Sequence, residues 1–184
     1  RVGTITTSGT NYRLITNVGA SISQGIESYI EFNPVRAFSN SQTTDVILFS
    51  SYSYTNATYS SDHKDANTKG KKVENAPTDI FRGGISYGYK NFLITAQLSF
   101  VGASFSDANN TVAASANGNT GRIPSYSITD LTGSYKFSKM LQLKAGINNV
   151  LDKRYFTRRA GGYPGPGALP ADGRSLFISI GAKL

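Results

Sequence analysis

Apolar and polar residues alternate with a period of two along most of the chain. Between residues 141 and 149 the apolar set begins with Leu141 and Leu143, and the last segment repeats the pattern with Ile178 and Ile180. This alternation is typical of a β-strand with one apolar face. We predict no helix and about eight strands. The predicted strands lie near residues 11–18, 25–34, 45–59, 79–89, 92–104, 125–137, 141–150 and 174–184.

The predicted connections fall into two classes by length. Residues 90–91 and 138–140 read as tight turns and residues 35–44 as a moderate connection, whereas 60–78, 105–124 and 151–173 are long and polar. When strand direction is traced, the long connections fall at one end of the sheet, and only the brief link 18–24 joins them there. Short periplasmic turns and long extracellular loops are the arrangement of outer-membrane barrels, so the carboxyl terminus is expected on the periplasmic side.

Charged residues within the predicted strands keep to one parity. In 25–34 the charges are Glu27 and Glu31, while the alternate positions carry none. The exceptions, Asp79 and Arg174, lie at the presumed extracellular strand ends, where a charge on a lipid-facing side costs little. The sequence therefore predicts a transmembrane antiparallel β-barrel wall. A soluble β-sandwich or a β-rich adhesin module also alternates, so those alternatives remain open on the pattern alone.

Composition narrows the functional classes further. No apolar run approaches the ~20 residues of a transmembrane helix, and the chain has no Cys and no Trp. An aromatic girdle would have to use tyrosines instead. The candidates are Tyr29, Tyr52, Tyr54, Tyr87, Tyr89 and Tyr126. The net charge of +8 is spread over loops and strands and carries no nucleic-acid-binding signature, so we expect no nucleic-acid partner,.

The run 148–155, with the sequence Asn-Asn-Val-Leu-Asp-Lys-Arg-Tyr, resembles the penultimate-strand signature of TonB-dependent outer-membrane receptors. That signature is usually written with Leu-Phe at positions 150–151, and its matching positions here are Asn148, Asn149, Asp152 and Tyr155. Segments 17–19 with 25–27, 51–59, 75–77 and 123–126 resemble other barrel strands of the family in the same order. Within the family, segments 155–159 and 162–167 look most like the ferric-dicitrate type.

The resemblance implies a bacterial outer-membrane barrel of about 22 strands. Residues 1–184 would supply the carboxy-terminal eight or so strands, without the plug domain. It also implies active uptake of a ferric chelate driven by the TonB energy-transducing complex, with outer-membrane lipid, lipopolysaccharide and the barrel-assembly machinery as further partners. The family usually ends in an aromatic residue read by that machinery. Leu184 stands there in this chain, on the same parity as Ile178 and Ile180.

No catalytic constellation is found, so we expect neither an enzyme nor a cofactor. His63 lies in a long polar loop and reads as a solvated side chain, and the spacing of Asp62, His63 and Asp65 matches no metal motif,. Asn117 and Gly118 form a turn signal. The alternative function is a structural or surface-binding barrel without active transport, and one form of it is a small barrel closed by this chain alone.

The last long loop is the candidate ligand site. It combines Arg154, Arg158 and Arg159 with Tyr155 and Tyr163. Arginine binds carboxylates bidentately, and a ferric citrate complex is anionic. The competing interpretations are a solvated loop or binding of lipopolysaccharide phosphates. Charges on the presumed interior face are expected to form an ion-pair lining instead of a ligand site. They are Glu27, Glu31, Asp130, Lys136 and Lys144.

Overall fold

The computed structural model describes residues 2–7, 10–15, 20–62, 67–163 and 165–183. Thirteen strands and one short helix lie within these residues. They are β1 (Val2–Thr7), β2 (Thr10–Ile15), β3 (Ser21–Phe32), α1 (Pro34–Phe38), β4 (Thr44–Tyr59), β5 (Asp79–Tyr89), β6 (Phe92–Val101), β7 (Ser104–Phe105), β8 (Arg122–Ile123), β9 (Tyr126–Lys136), β10 (Leu141–Asn148), β11 (Phe156–Ala160), β12 (Gly167–Pro170) and β13 (Ser175–Ala182).

Seven long strands form one antiparallel sheet in the order β13-β10-β9-β6-β5-β4-β3. They confirm all of the predicted strands from residue 25 onward. β2 falls in the predicted strand 11–18 and pairs with β1 in a separate hairpin, which the sequence did not predict. Residues 16–18 of that prediction and residues 17–19 of the family resemblance lie outside the described residues.

Helix α1 was not predicted, and its signals are local. Asn33 is the N-cap, its Oδ1 accepts a 3.0 Å hydrogen bond from the Arg36 amide, and Pro34 stands at the first helical position. Asn followed by Pro is a recognised helix start. The five-residue length leaves no apolar periodicity for a sequence reading to detect. Among the described residues no helix combines the length and the apolar composition needed to cross a membrane.

The connections of the seven-stranded sheet separate by length, as predicted. Three long loops lie at one end of the sheet, here called the loop end: loop A (60–78), loop B (102–125) and loop C (149–174). The opposite, turn end carries 33–43, 90–91 and 137–140. Two of the long loops contain small ribbons that the sequence did not predict, since β7 pairs with β8 in loop B and β11 with β12 in loop C.

The strand register builds one apolar face across the whole sheet. Residues directly opposite each other in an antiparallel pair share a face, and one row of partners is apolar through all seven strands. That row is Phe32, Leu48, Ile85, Ala96, Leu131, Ile147 and Leu176. This row begins at the turn end of β3 and finishes at the loop end of β13. Such a shift of register from strand to strand is typical of the tilted strands of a barrel.

We call this apolar face the outer face and the opposite one the inner face. The outer face is uncovered in the described part of the chain. Ile26 is 72% exposed and Ile178 is 77% exposed, and the sheet's strands contact their hydrogen-bonded neighbours and α1, with no second sheet against either face of the described residues. A sandwich would have buried these side chains in a core. Exposed apolar side chains over seven strands fit a wall facing hydrocarbon, so the soluble-sandwich alternative is rejected.

The tyrosine girdle is confirmed in part. Tyr87 and Tyr89 lie on the outer face near the turn end, where Tyr135 also lies, and Tyr52 and Tyr54 occupy the same face farther along β4. Tyr29 and Tyr126 were wrongly placed in the girdle, because both take the opposite parity. The Tyr29 hydroxyl donates to Glu31 at 2.6 Å on the inner face.

The strand charges take the inner face, as predicted, but the expected ion-pair lining is wrong for the described residues. The described ion pairs are Arg36 with Asp45 and Arg154 with Asp152. The reason is strand order: Glu27 and Glu31 lie on β3, whereas Lys136 and Lys144 lie on β9 and β10, with β4, β5 and β6 between them. The outer-face exception, Asp79, accepts a 2.6 Å hydrogen bond from the Tyr52 hydroxyl.

The most buried described side chains gather at the loop end. They lie where the strands meet the bases of the loops, and the sheet faces themselves are open. They are Ala57, Tyr59, Thr68, Ser104, Ile123 and Asn149, each no more than 9% exposed. The packed core of this chain is therefore a layer beneath the three loops.

A candidate ligand surface at the loop end

The family signature builds the turn that leads from β10 into loop C. Asn149 is only 3% exposed and adopts a left-handed φ of 51°, a conformation that Asn tolerates better than most residues. Its side-chain amide spans the turn, with Oδ1 accepting from the Lys153 amide at 2.8 Å and Nδ2 donating to the Lys153 carbonyl at 2.9 Å. Beyond the end of β10, where the strand-to-strand backbone hydrogen bonds stop, the Asn149 side chain therefore supplies the hydrogen bonds that hold the turn.

The same turn is fastened to the sheet on both sides. The Asn149 amide donates to Asp130 Oδ1 at 2.8 Å, and the Val150 amide donates to the Thr129 carbonyl at 2.8 Å. Asn148 Nδ2 donates to Ser175 Oγ at 3.1 Å across the β10–β13 pair. Asp130, expected in an ion-pair lining, instead serves as an acceptor for this turn.

Asp152 closes the base of loop C. Its Oδ1 accepts from the Arg174 amide at 2.9 Å, and its Oδ2 lies 3.5 Å from Arg154 Nη2. The Arg174 backbone N–H, followed by the positive charge of Arg154, lowers the pKa of the Asp152 carboxyl below its ordinary value, since both stabilise the ionised form. The carboxylate of Asp152, the fourth residue of loop C, thereby joins the start of the loop to Arg174 at its end.

Tyr155 belongs to the same base. Its ring stacks on Tyr126 with centroids 4.4 Å apart, and its carbonyl accepts from the Ala171 amide at 3.0 Å. The four signature positions Asn148, Asn149, Asp152 and Tyr155 are therefore structural groups that fix the root of loop C. The sequence interpretation had also counted Tyr155 among ligand-binding candidates, but its ring already lies against another aromatic face.

A bulge in the loop C ribbon separates the two adjacent arginines. Pairing between β11 and β12 shifts register between Phe156 and Arg158, and a bulge places an extra residue against one partner residue. Thr157 and Arg158 are exposed, while Phe156 and Arg159 are half-buried. The Arg159 guanidinium lies 4.9 Å from the centre of the Phe156 ring.

Arg159 ties loop C to loop B. Its Nη1 donates to the Gly118 carbonyl at 2.8 Å and its Nη2 to the Arg122 carbonyl at 3.3 Å. Gly118 has a φ of 70° and completes the turn predicted from the Asn-Gly pair. Its amide donates to the Ser115 carbonyl at 2.8 Å. Arg159 is thus a bridge between loops, and its Nε is buried without a partner in the described residues.

Loops A and B are joined as well. The Lys72 amide donates to Asn110 Oδ1 at 2.7 Å, and Asn110 Nδ2 returns a bond to the Lys72 carbonyl at 2.8 Å. The Asn75 amide donates to the Phe105 carbonyl at 2.7 Å. No local pattern in the sequence identifies Asn110, because its partner Lys72 lies on another loop. Together the three loops form one hydrogen-bonded cap over the loop end.

The structure divides the predicted ligand residues into two groups. Arg154, Tyr155 and Arg159 are engaged in the contacts above. Arg158 and Tyr163 are exposed, Tyr163 fully so at 101%, and the Arg158 side chain makes no hydrogen bond or ion pair with the described residues. Ile178 and Ile180, predicted to form the assembly signal, lie on the outer face. Leu184, at the end of that signal, falls outside the described residues.

A metal centre finds no support in the part of the chain that the structure covers. No group of three or more potential ligands among His, Cys, Asp and Glu occurs there. His63 and Asp65 fall outside the described residues, and Asp62 accepts a 2.8 Å hydrogen bond from the Lys69 amide within loop A.

Comparison with known proteins gives the family. Residues 1–150 match the family described as TonB dependent receptor-like, beta-barrel. The probable TonB-dependent siderophore receptor PiuA of Acinetobacter baumannii is 38% identical over 65 residues, which are 35% of this chain and 8% of that protein.

Two solved structures extend the likeness over most of the chain. The unliganded ferric citrate transporter FecA superposes with a TM-score of 0.76 at 28% identity, covering 89% of this chain and 24% of that one. The A. baumannii siderophore receptor PiuA gives a TM-score of 0.64 at 22% identity, covering 90% and 22%. The chain therefore spans about a quarter of the length of these receptors. It belongs to the TonB-dependent receptors of the Gram-negative outer membrane, in which it forms part of the β-barrel wall.

Proposed function

We propose that this chain is the carboxy-terminal barrel portion of a receptor that actively takes up an anionic iron chelate, with ferric citrate as the leading candidate. Arg158 carries the proposal. It is an exposed guanidinium without a hydrogen-bond or ion-pair partner in the described residues, on a loop that is hydrogen-bonded to its neighbour, loop B. The neighbouring Arg159, tied to two carbonyls of loop B, holds the ribbon that presents it.

Loop charge supports an anionic ligand. Loop C contains five Lys and Arg residues against two Asp residues. Of those cations, Arg154 is ion-paired and Arg159 is bound to carbonyl groups, so the formal charge overstates what a ligand meets. A planar guanidinium donates two parallel hydrogen bonds to a carboxylate. Arg158, with the exposed Tyr163 farther along loop C, offers the group that a carboxylate-coordinated ferric complex requires.

Family membership and the likeness to the ferric citrate transporter support the transport step. On this proposal the plug domain and the TonB energy-transducing complex act through parts of the receptor beyond this chain. The barrel-assembly machinery would insert a barrel of about 22 strands, of which this chain forms the last eight or so. A barrel without active transport would bind ligand and show no energy-dependent uptake, which separates the two functions.

The proposal is tested by isothermal titration of ferric dicitrate into the complete receptor. Arg158→Ala removes a charge-assisted hydrogen-bond donor pair worth roughly 1.5–3 kcal/mol, so binding is expected to weaken by about ten- to a hundredfold. Lys139→Ala is the matched control, because it removes one positive charge from the turn end. Unchanged affinity in Arg158→Ala, or an equal loss in the control, would refute the assignment of Arg158.

A further inference from the structure

Loop B carries a chemically labile dipeptide at its tip. Asn117 is followed by Gly118, and this is the one Asn-Gly pair in the sequence. The side-chain amide of an asparagine can be attacked by the backbone nitrogen of the next residue, and glycine has no β-carbon to shield that nitrogen. Asn149, by contrast, precedes Val150, whose branched β-carbon obstructs the same approach. The tip of loop B is therefore the place where the sequence favours this reaction.

The Asn117 side chain is exposed and already polarised for such an attack. Its Oδ1 accepts a 3.3 Å hydrogen bond from the Asn119 amide and a 2.9 Å hydrogen bond from the Ser115 hydroxyl. Because a backbone N–H only donates, the first contact identifies this atom as the amide oxygen. Donors aimed at a carbonyl oxygen stabilise the negative charge that develops there when the carbon is attacked. The turn therefore activates the Asn117 amide carbon.

Gly118 is restrained at both of its backbone polar groups. Its N–H donates to the Ser115 carbonyl at 2.8 Å, and its carbonyl accepts from Arg159 Nη1 at 2.8 Å. A nitrogen whose proton is bound to a carbonyl is not free to attack, so ring closure requires the turn to loosen. Since Arg159 belongs to loop C, the bridge between the two loops limits how often the Gly118 nitrogen is released.

We propose that Asn117 is a site of spontaneous deamidation and that the Arg159 bridge sets its rate. Hydroxide removes the Gly118 amide proton, and the nitrogen forms a bond to the Asn117 side-chain carbon. The bond from that carbon to Nδ2 then breaks, and Nδ2 leaves as ammonia with a proton from water. Water opens the resulting succinimide at either of its two carbonyl carbons, which gives aspartate or isoaspartate.

Both products change the contact between loops B and C. Each adds a negative charge beside the residue whose carbonyl binds Arg159, a guanidinium whose Nε is buried without a partner in the described residues. Isoaspartate also inserts a backbone carbon before the Gly118 nitrogen, which displaces the Gly118 carbonyl. The inference depends on Asn117 and Arg159, whereas the chelate proposal depends on Arg158, so either can fail without the other.

Peptide mapping by mass spectrometry tests the inference on the complete receptor, incubated in detergent at neutral and at mildly alkaline pH. We expect Asn117 to gain one mass unit, and to do so faster at the higher pH because hydroxide removes the Gly118 proton. The internal comparison is Asn40, an exposed asparagine that precedes Ser41 at the turn end. It should react more slowly, because the serine side chain shields the backbone nitrogen.

Two arginine variants test the role of the bridge. Arg159→Gln should speed the reaction about tenfold, the population change expected from loss of one charge-assisted hydrogen bond. Arg158→Gln is the matched control, since it removes the same charge from the adjacent residue, which has no bond to loop B in the described part of the chain. A synthetic peptide of residues 113–122 gives the rate without the bridge, and the receptor should react more slowly than this peptide.

Three results would overturn the inference. One is a mass gain at Asn117 that is no faster than the gain at Asn40. Another is an equal rate in the Arg159→Gln and Arg158→Gln variants, which would show that the bridge has no part in the reaction. The third is an equal rate in the receptor and in the free peptide, because the fold would then place no restraint on Gly118.

Discussion

Replacing Asn149 separates its two structural contributions. Asn149→Ala removes both side-chain hydrogen bonds to Lys153. It also places alanine, which has no polar side chain to stabilise the left-handed conformation, at a φ of 51°. Each hydrogen bond contributes about 1 kcal/mol, and a left-handed conformation costs an ordinary residue about 1–2 kcal/mol. We therefore expect the closed form of the turn to lose about 3–4 kcal/mol. Asn149→Gly also removes the two hydrogen bonds, but glycine adopts a left-handed φ without steric cost. The closed form of the turn should therefore lose about 2 kcal/mol in this variant.

Hydrogen–deuterium exchange of the complete receptor measures this local opening. The reporters are peptides that contain the amides of Asp152 and Arg174, which bond to Asn149 and to Asp152. A loss of 3–4 kcal/mol corresponds to exchange faster by roughly a hundred- to a thousandfold. The β10 strand, held by β9 and β13 on its two sides, serves as an internal control and should exchange at its original rate.

The order of the variants is the critical result. If Asn149→Ala and Asn149→Gly open the turn equally, backbone conformation is not part of the role of Asn149. If neither differs from the unmodified receptor by more than a fewfold, the signature does not hold the root of loop C. Faster exchange throughout β10 would instead indicate that the substitution unfolds the sheet.

Two further predictions concern charge. The pKa of Asp152 is lowered by the Arg174 amide and then by Arg154. The stabilisation of loop C by this carboxylate should therefore be fully present above the ordinary pKa of 3.8. It should be lost only as the pH falls through the lowered pKa of the folded protein. Exchange at Arg174, corrected for intrinsic rates, should show that acid loss, and Asp152→Asn should abolish the pH dependence. For the sheet, Leu131→Lys places a charge on the outer face and should cost about 2–4 kcal/mol in denaturant unfolding of the micelle-bound receptor. The adjacent Thr132→Lys faces inward and should cost much less, and equal costs would contradict the assignment of the faces.

The seven-stranded sheet was predictable because its strands encode their faces locally. A period of two and the restriction of charge to one parity identify a strand such as β9 without knowledge of its partners. The small elements lacked such a signal. α1 has five residues, and β11 contains a bulge that breaks the alternation.

The candidate site was harder to predict because the contacts of a loop side chain depend on where the other loops lie. Arg158 and Arg159 are adjacent and chemically identical, and the sequence assigned them the same role. Arg159 differs because the carbonyls of Gly118 and Arg122 come within its reach. Those contacts span 41 and 37 positions. No local sequence pattern near Arg159 predicts the position of loop B.

The same contacts change how the positive charge of loop C should be interpreted. Arg159 bridges two loops and Arg154 pairs with Asp152, so two of the five cations of loop C maintain the cap, while Arg158 remains available. Packing beneath the loops has a corresponding effect, because the buried Asn149 and Ile123 fix the roots from which the ribbons project. A side chain presented from a fixed ribbon loses less conformational entropy on binding, a saving of about 0.5–1.5 kcal/mol for each long side chain. The residues that never touch the chelate would therefore contribute to its affinity by holding Arg158 in place.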